Sequence, residues 1–452
     1  MTGYLPMDRE ERREMLASVG VDLDQLFAMI PDCDCVRVAA YEALQNVGMS
    51  EQEVAEEVKA LAAKNSSSQS HDSYLGAGYY DHYQPAAVQH LISRSEFLTS
   101  YTPYQAEISQ GTLQAIFEWQ SYITRLTGLP VANASLYDAA SGAAEAALLA
   151  CRDKRLYKVF VSEGVHPDTL ETIRTYCHAA GIEVVTGPLD ENGRTSEFPQ
   201  DKKEYAGFLV QSPNFYGVVE DLDLLAEKAH EAGALAVVSQ DPVSLAILKR
   251  PGDSGVDIAV GEAQSLGLPT SYGGPGAGYM AVTDRLMRKM PGRICGATVD
   301  RHGRTSYVLT LQAREQHIRR ERATSNICTS QALMATAATI WLALQGGSGL
   351  LDVAEQSAAK AIYLERKLTQ GGCFKRVFSA PYFREFLLEV KEGIDLDQVN
   401  ADLLEEGIIG GLVLPGNRLL IAVTEKKTKA QLDRFAKTLL RLCAEQEGGR
   451  HA

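Results

Sequence analysis

Long apolar runs are missing from this 452-residue chain, and no stretch approaches the ~20 residues that a membrane-crossing helix needs. The start, Met1 to Met15, is densely charged and holds no apolar signal-peptide core, so a cytoplasmic location is expected. Basic charge is scarce: 44 Lys and Arg face 58 Asp and Glu, a net charge of −14, which argues against a nucleic-acid binder. Cysteine is sparse as well. The eight cysteines are too few for a disulfide scaffold in a chain of this length, and none forms a CxxC pair. Cys33-Asp34-Cys35 is the one close pair, and without a second Cys or His pair nearby it reads as two free thiols; no metal site is expected. The nucleotide and hydrolase signatures are absent too: there is no GxxxxGK[ST], no HExxH and no GxSxG. The glycine cluster Gly273-Gly274-Pro275-Gly276-Ala277-Gly278 does not match GxGxxG, and its proline sits where a helix would have to start.

Hydrophobic residues make up 45% and charged residues 23%, the balance of a soluble protein with a sizeable core. At roughly 150 residues per domain the length suggests about three parts, and the texture divides the same way. Residues 1–65 look helical, with Ser50 and Glu53 spaced as a capping box before Val54, Val58 and Leu61. A serine-rich break at Asn65 to Ser70 follows. From 66 to 330, strand candidates (Val159–Val161, Glu183–Val185, Gly207–Val210, Leu235–Val238, Ile258–Val260) alternate with helical spans such as Pro167–Ala180 and Leu222–Ala232. That alternation predicts an α/β fold with a mostly parallel sheet. Residues 331–452 carry two helical stretches (331–345 and 349–369), strands near Glu385–Val390 and Leu419–Val423, and a closing amphipathic helix with Leu432, Phe435, Leu439 and Leu442. This predicts a smaller C-terminal α+β domain.

Two features point to pyridoxal phosphate (PLP). Asp241 directly follows a strand, where an acid could hold a pyridine nitrogen. Ser141-Gly142 opens the alanine-rich helix Ala143–Cys151, whose free amides could cradle a phosphate. Each is weak alone, because Asp after a strand and Ser-Gly before a helix also occur as simple caps. The deciding residue is the lysine that would carry the cofactor. The run Asp257 to Ser265 is similar to the strand that delivers it in the aspartate-aminotransferase fold (fold type I), yet it ends in Gln264-Ser265 where that fold has His-Lys. A hydroxyl cannot form the imine. Lys249, the single lysine between Asp241 and the glycine cluster, lies in a loop pattern and leaves a self-sufficient PLP enzyme as one alternative; a non-enzymatic scaffold is another.

Six of the nineteen tyrosines fall between 74 and 104. Tyr74 to Tyr83 read as subunit interface, and Tyr101 and Tyr104, flanking Thr102-Pro103, as pocket. The helix after them is expected to be capped at Ser109, with Leu113, Ile116, Trp119 and Ile123 in the core. Thr324, Ser325 and Asn326 either cap a helix or act as hydrogen-bond donors toward a neighbouring subunit. Between Arg285 and Arg322 ten basic residues face three acidic ones, a local +7 that could attract an acidic partner or merely be compensated within the fold; His317 lies inside it.

Several blocks carry a family resemblance: Phe97–Gln114 (FLTSYTPYQAEISQGTLQ), Asn133–Glu145 (NASLYDAASGAAE), Asp257–Gly278, Leu311–Thr329 (LQAREQHIRRERATSNICT), Gly407–Gly411 (GIIGG) and Val423–Phe435. Together they resemble subunit 1, the alpha subunit, of the two-subunit glycine dehydrogenase (decarboxylating), the P-protein of the glycine cleavage system. The resemblance implies a PLP-dependent transferase fold and an α2β2 assembly in which the beta subunit bears the Schiff-base lysine. It also implies decarboxylation of glycine with transfer of the aminomethyl group to the lipoyl arm of H-protein. Tyr101, Tyr104, Thr324, Ser325 and Asn326 would then complete a pocket at the interface, while Ser141, Gly142 and Asp241 would be a vestigial site or one of this chain's own.

Overall fold

Short runs of β-branched residues separated by amphipathic helices leave few arrangements that bury both faces of a sheet, and the chain adopts the one with helices on either side. The computed structural model describes residues 8–26, 28 and 48–448; the Cys33-Asp34-Cys35 pair lies outside the described residues. Two compact units result, Met1–Asn65 and Ser66–Ala452. In the first, helix Arg9–Val19 is capped by Asp8 and helix Glu51–Ala62 by the expected Ser50/Glu53 box.

After a two-residue strand (Asp72–Ser73) and two short helices (Ala86–Ile92 and Ser95–Leu98), the second unit continues with α1 (Gln110–Thr127), β1 (Val131–Ala132) and α2 (Ala139–Lys154). Next come β2 (Lys158–Ser162), α3 (Pro167–Ala179), β3 (Glu183–Gly187), β4 (Gly207–Ser212), α4 (Leu222–Ala232), β5 (Leu235–Gln240), β6 (Ile258–Glu262) and β7 (Gly278–Val282). The sheet runs β1-β7-β6-β5-β4-β2-β3, parallel from β3 to β6 and antiparallel at β7 and β1. Alternate residues of β5 serve opposite layers: Leu235 and Val237 pack with α2, Ala236 and Val238 with α4 and the long helix that follows. A hairpin of β8 (Ile294–Val299) and β9 (Thr305–Thr310) leads toward that helix, α5 (Ala332–Thr369). The break expected near 345–349 is a kink at Gly346, where φ is +60° and ψ is −173°.

Beyond it, β10 (Phe374–Arg376), β11 (Glu385–Val390), β12 (Leu412–Leu414) and β13 (Arg418–Ala422) form an antiparallel sheet in the order β10-β11-β13-β12. It is covered by α6 (Lys429–Gly448), whose Leu432, Phe435, Leu439 and Leu442 are buried as the periodicity requires.

Three expectations need correction. Ser109 stands at the N-cap of α1 but its side chain makes no capping bond, because its backbone is not extended (φ −116°, ψ 26°). Helix α2 begins four residues before Ala143, capped by Asp138 rather than by Ser141-Gly142. Tyr74 is core and not interface: it is fully buried, stacks on Phe435 at 3.8 Å and donates to the carbonyl of Gln431.

Candidate active site

At the carboxyl ends of β4, β5 and β6 lies a cavity of about 420 Å³, where open α/β sheets place ligands. Its floor is Ser239 to Asp241 and Glu262, one wall is the start of α2, and the opposite wall is Tyr79, Tyr80, Phe383, Arg384 and Glu385. Asp241 and Ser265 both line it, and the Ser265 hydroxyl donates to the Asp241 carboxylate at 2.8 Å. The other Asp241 oxygen pairs with the Arg384 guanidinium at 2.5 Å. Arg384 is only 2% exposed, lies flat against the Tyr80 ring (3.6 Å) and donates to His82 Nε2. An arginine accepts no hydrogen bond, so Nε2 must be the unprotonated nitrogen and His82 must give its Nδ1 proton to Glu425, 2.5 Å away. Burial is the largest influence and pushes the Glu425 carboxyl up, but its interactions with His82 and the bond from the Tyr83 amide (2.7 Å) together hold the group below its ordinary value.

Two further acids complete the site. Glu385 accepts from the Ala77 amide (2.7 Å) and the Tyr80 hydroxyl (2.8 Å). Burial still pushes its carboxyl up, and it pushes the Tyr80 phenol up as well. Glu262 accepts from the amides of Ala277 (2.7 Å), Gln264 (3.1 Å) and Ala139 (3.2 Å), yet enclosure raises it to about 7. Enclosure, with Glu262 and Asp138 nearby, raises Tyr79 to about 12.

These residues do not fit PLP in this chain. The acid that would hold the ring nitrogen is taken by Ser265, Arg384 and the Val243 amide. At the start of α2, where a phosphate would seek free amides, Glu262 already takes the Ala139 N–H and Asp138 the Ser141 N–H. Two carboxylates in that place would also repel a phosphate. The Ser141 hydroxyl turns back to the Asp138 carbonyl, and Gly142 packs against Leu136 and Val260. No lysine lines the cavity among the described residues, and Lys249 is exposed and paired with Asp223 at 2.6 Å.

The other sequence candidates lie elsewhere. Tyr101 is 77% and Tyr104 50% exposed, and neither lines the cavity. Buried Arg293 donates to the Tyr104 hydroxyl at 3.0 Å and lies 3.6 Å from Glu315, which also faces His317. His317 meets the Tyr104 ring edge-on, so the YTPYQAE and AREQH blocks converge. Thr324 and Ser325 are partly buried and Asn326 exposed. They do not cap α5, whose N-cap is Gln331; Ser325 instead accepts the Ile327 amide and lies beside the buried Glu145. Part of the local +7 is compensated within the fold, since Arg285 and Lys289 pair with Asp153, and Arg285 also with Asp257.

Sequence reasoning missed Tyr80, His82, Glu262, Arg384, Glu385 and Glu425. Their one visible signal was a charged pair, Arg384-Glu385, just ahead of the apolar run Phe386 to Leu388.

A parallel sheet covered on both faces, with an acid after its central strand and a second antiparallel sheet behind it, defines the type I fold of PLP-dependent enzymes. A crystal structure of "glycine decarboxylase (P-protein) of the glycine cleavage system, in inhibitor-bound form" matches with a TM-score of 0.85 and 42% identity, covering 97% of this chain and 99% of that one. A Lactobacillus brevis glutamate decarboxylase shares the fold alone (TM-score 0.68, 14% identity, 93% and 96% covered). The profile of the glycine cleavage system P-protein family matches residues 2–439. A Desulforamulus reducens protein described as a probable glycine dehydrogenase (decarboxylating) subunit 1 is 49% identical over 447 residues, covering 96% of this chain and 99% of that protein. The chain belongs to the glycine cleavage system P-protein family.

Proposed function

We propose that this chain is the alpha subunit of a two-subunit glycine dehydrogenase (decarboxylating), working only with a beta subunit that holds PLP through its own lysine, in an α2β2 assembly in the cytoplasm. In this reading residues 66–330 are a large cofactor-type domain and 331–452 a smaller one, behind a helical segment at 1–65. The observation that carries the proposal is the hydrogen bond from Ser265 to Asp241, at the end of the segment that resembles the fold's lysine-bearing strand. PLP on the beta subunit supplies an electron sink that makes the bond from glycine to its carboxylate labile. This chain supplies walls and donors: the exposed Tyr101, Tyr104 with its hydroxyl held by Arg293, and the segment Thr324, Ser325 and Asn326. The aminomethyl group then passes to the lipoyl arm of H-protein.

The test is glycine-dependent CO₂ exchange with lipoylated H-protein. Activity is expected from the mixed subunits and from neither alone. An inactive complex, or a beta subunit equally active by itself, overturns the reading.

A further inference from the structure

The fold brings two thiols together far from the cavity. Cys373 directly precedes β10, and its carbonyl accepts the Lys391 amide at 3.0 Å. Cys443 lies on α6, fully buried beside Leu439 and Leu442 in the core under the antiparallel sheet. Cys373 packs against that same core and remains partly exposed. Lys391, bonded through its amide to Cys373, reaches Glu447, which stands one turn along α6 from Cys443, and this brings the Cys443 side chain beside that of Cys373. This contact, with help from the Lys391 ammonium and against burial and Glu447, holds the Cys373 thiol below its ordinary value; Lys391 itself is paired with Glu447 of α6 at 2.8 Å. The other buried thiols are shifted the opposite way: burial, with Cys177 nearby, pushes Cys151 up to about 12, and burial pushes Cys177 and Cys295 up to about 11. Cys328 is exposed.

A reachable sulfur that favours the thiolate, with a second thiol waiting in the core behind it, is the arrangement of a nucleophilic and a resolving cysteine. We propose that Cys373 and Cys443 are a redox modification site: hydrogen peroxide or an organic hydroperoxide converts them to a reversible disulfide that fastens α6 to the antiparallel sheet. The Cys373 thiolate attacks a peroxide oxygen, so that an S–O bond forms, the O–O bond breaks and the leaving oxygen departs as water or alcohol. Cys443 then attacks the sulfenic sulfur, an S–S bond forms, and the S–O bond breaks with release of water. Two thiols lose two electrons in all, and the peroxide gains them.

The full chain would be treated with hydrogen peroxide, alkylated, digested and mapped by mass spectrometry. The expected product joins the Cys373 and Cys443 peptides, reverts with dithiothreitol, and raises the thermal midpoint of wild type but not of Cys373→Ser. In Cys443→Ala the sulfenic acid on Cys373 should persist and be trapped by dimedone, which keeps the test readable if other Cys443 variants fold poorly. Cys373 should alkylate at least about tenfold faster than Cys151, because exposure and thiolate fraction govern the rate. Joining of Cys373 to Cys328 or to Cys33 or Cys35 overturns the proposal. So does passage of Cys373 to sulfinic acid while Cys443 stays alkylatable, or the absence of a dimedone adduct in Cys443→Ala.

Discussion

Replacing Glu262 by glutamine should change how stability depends on pH, and the change can be calculated. The carboxyl titrates at about 7 in the folded chain against 4.5 in the reference state. Between those values the folded chain holds a proton that the unfolded chain has released, so stability falls as pH rises. The contribution is fully present below 4.5 and lost as pH passes 7, a total of about 3 kcal/mol at ~1.4 kcal/mol per unit. From pH 5 to pH 8 the same linkage gives a loss of about 2.5 kcal/mol. Glutamine cannot titrate and removes this slope. It also turns an N–H toward the Ala139 amide, a pH-independent cost of about 1–2 kcal/mol. The variant should therefore be the weaker protein at pH 5 and equal or stronger at pH 8. Urea midpoints and slopes for both proteins at the two pH values measure the gap, and other buried acids such as Glu145, Glu220 and Glu385 cancel because both proteins carry them. A gap that stays constant within about 0.5 kcal/mol would refute the assignment.

Arg384→Met leaves Asp241 without its cation and His82 Nε2 without a donor, so it should cost about 3–5 kcal/mol by denaturant titration. Gly267→Ala forces a Cβ to within 2.0 Å of the Trp341 ring at a φ of +78°, and should lower stability by ~2–4 kcal/mol; a shift under ~0.5 kcal/mol would show that the ring moves freely. Ser265→Lys, incubated with PLP and borohydride, should give no labelled peptide at position 265 so long as Glu262 and Asp138 fill the start of α2; peptide mapping decides. In the mixed subunits, Tyr101→Phe and Asn326→Ala should lower glycine-dependent CO₂ exchange with the fold intact by circular dichroism, and unchanged rates would remove both from the interface pocket.

The strands of the parallel sheet were legible because burial on both faces leaves uninterrupted apolar runs such as Leu235–Val238. Helix α4 was legible to the residue, because Asp221 caps it and Gly233 ends it in the left-handed region. Ser265 and Asp241 could be read because a strand delivers each. The rest of the site could not be read: Tyr80 and Glu385 meet across 305 positions, and no local pattern records that pairing. Tyrosine density misled for Tyr74, whose environment is set by Phe435 and not by its neighbours in sequence.

The start of α2 also bears on whether such a chain could acquire a cofactor of its own. A lysine at position 265 would displace the hydroxyl that helps satisfy Asp241, while Glu262 and Asp138 still hold the amides a phosphate would need. Removing Glu262 first would strip three backbone amides of their acceptor with nothing yet bound to replace it. Each single step is unfavourable by itself, so the site behaves as a ratchet. A lysine at that position is opposed by residues that would take no part in its chemistry.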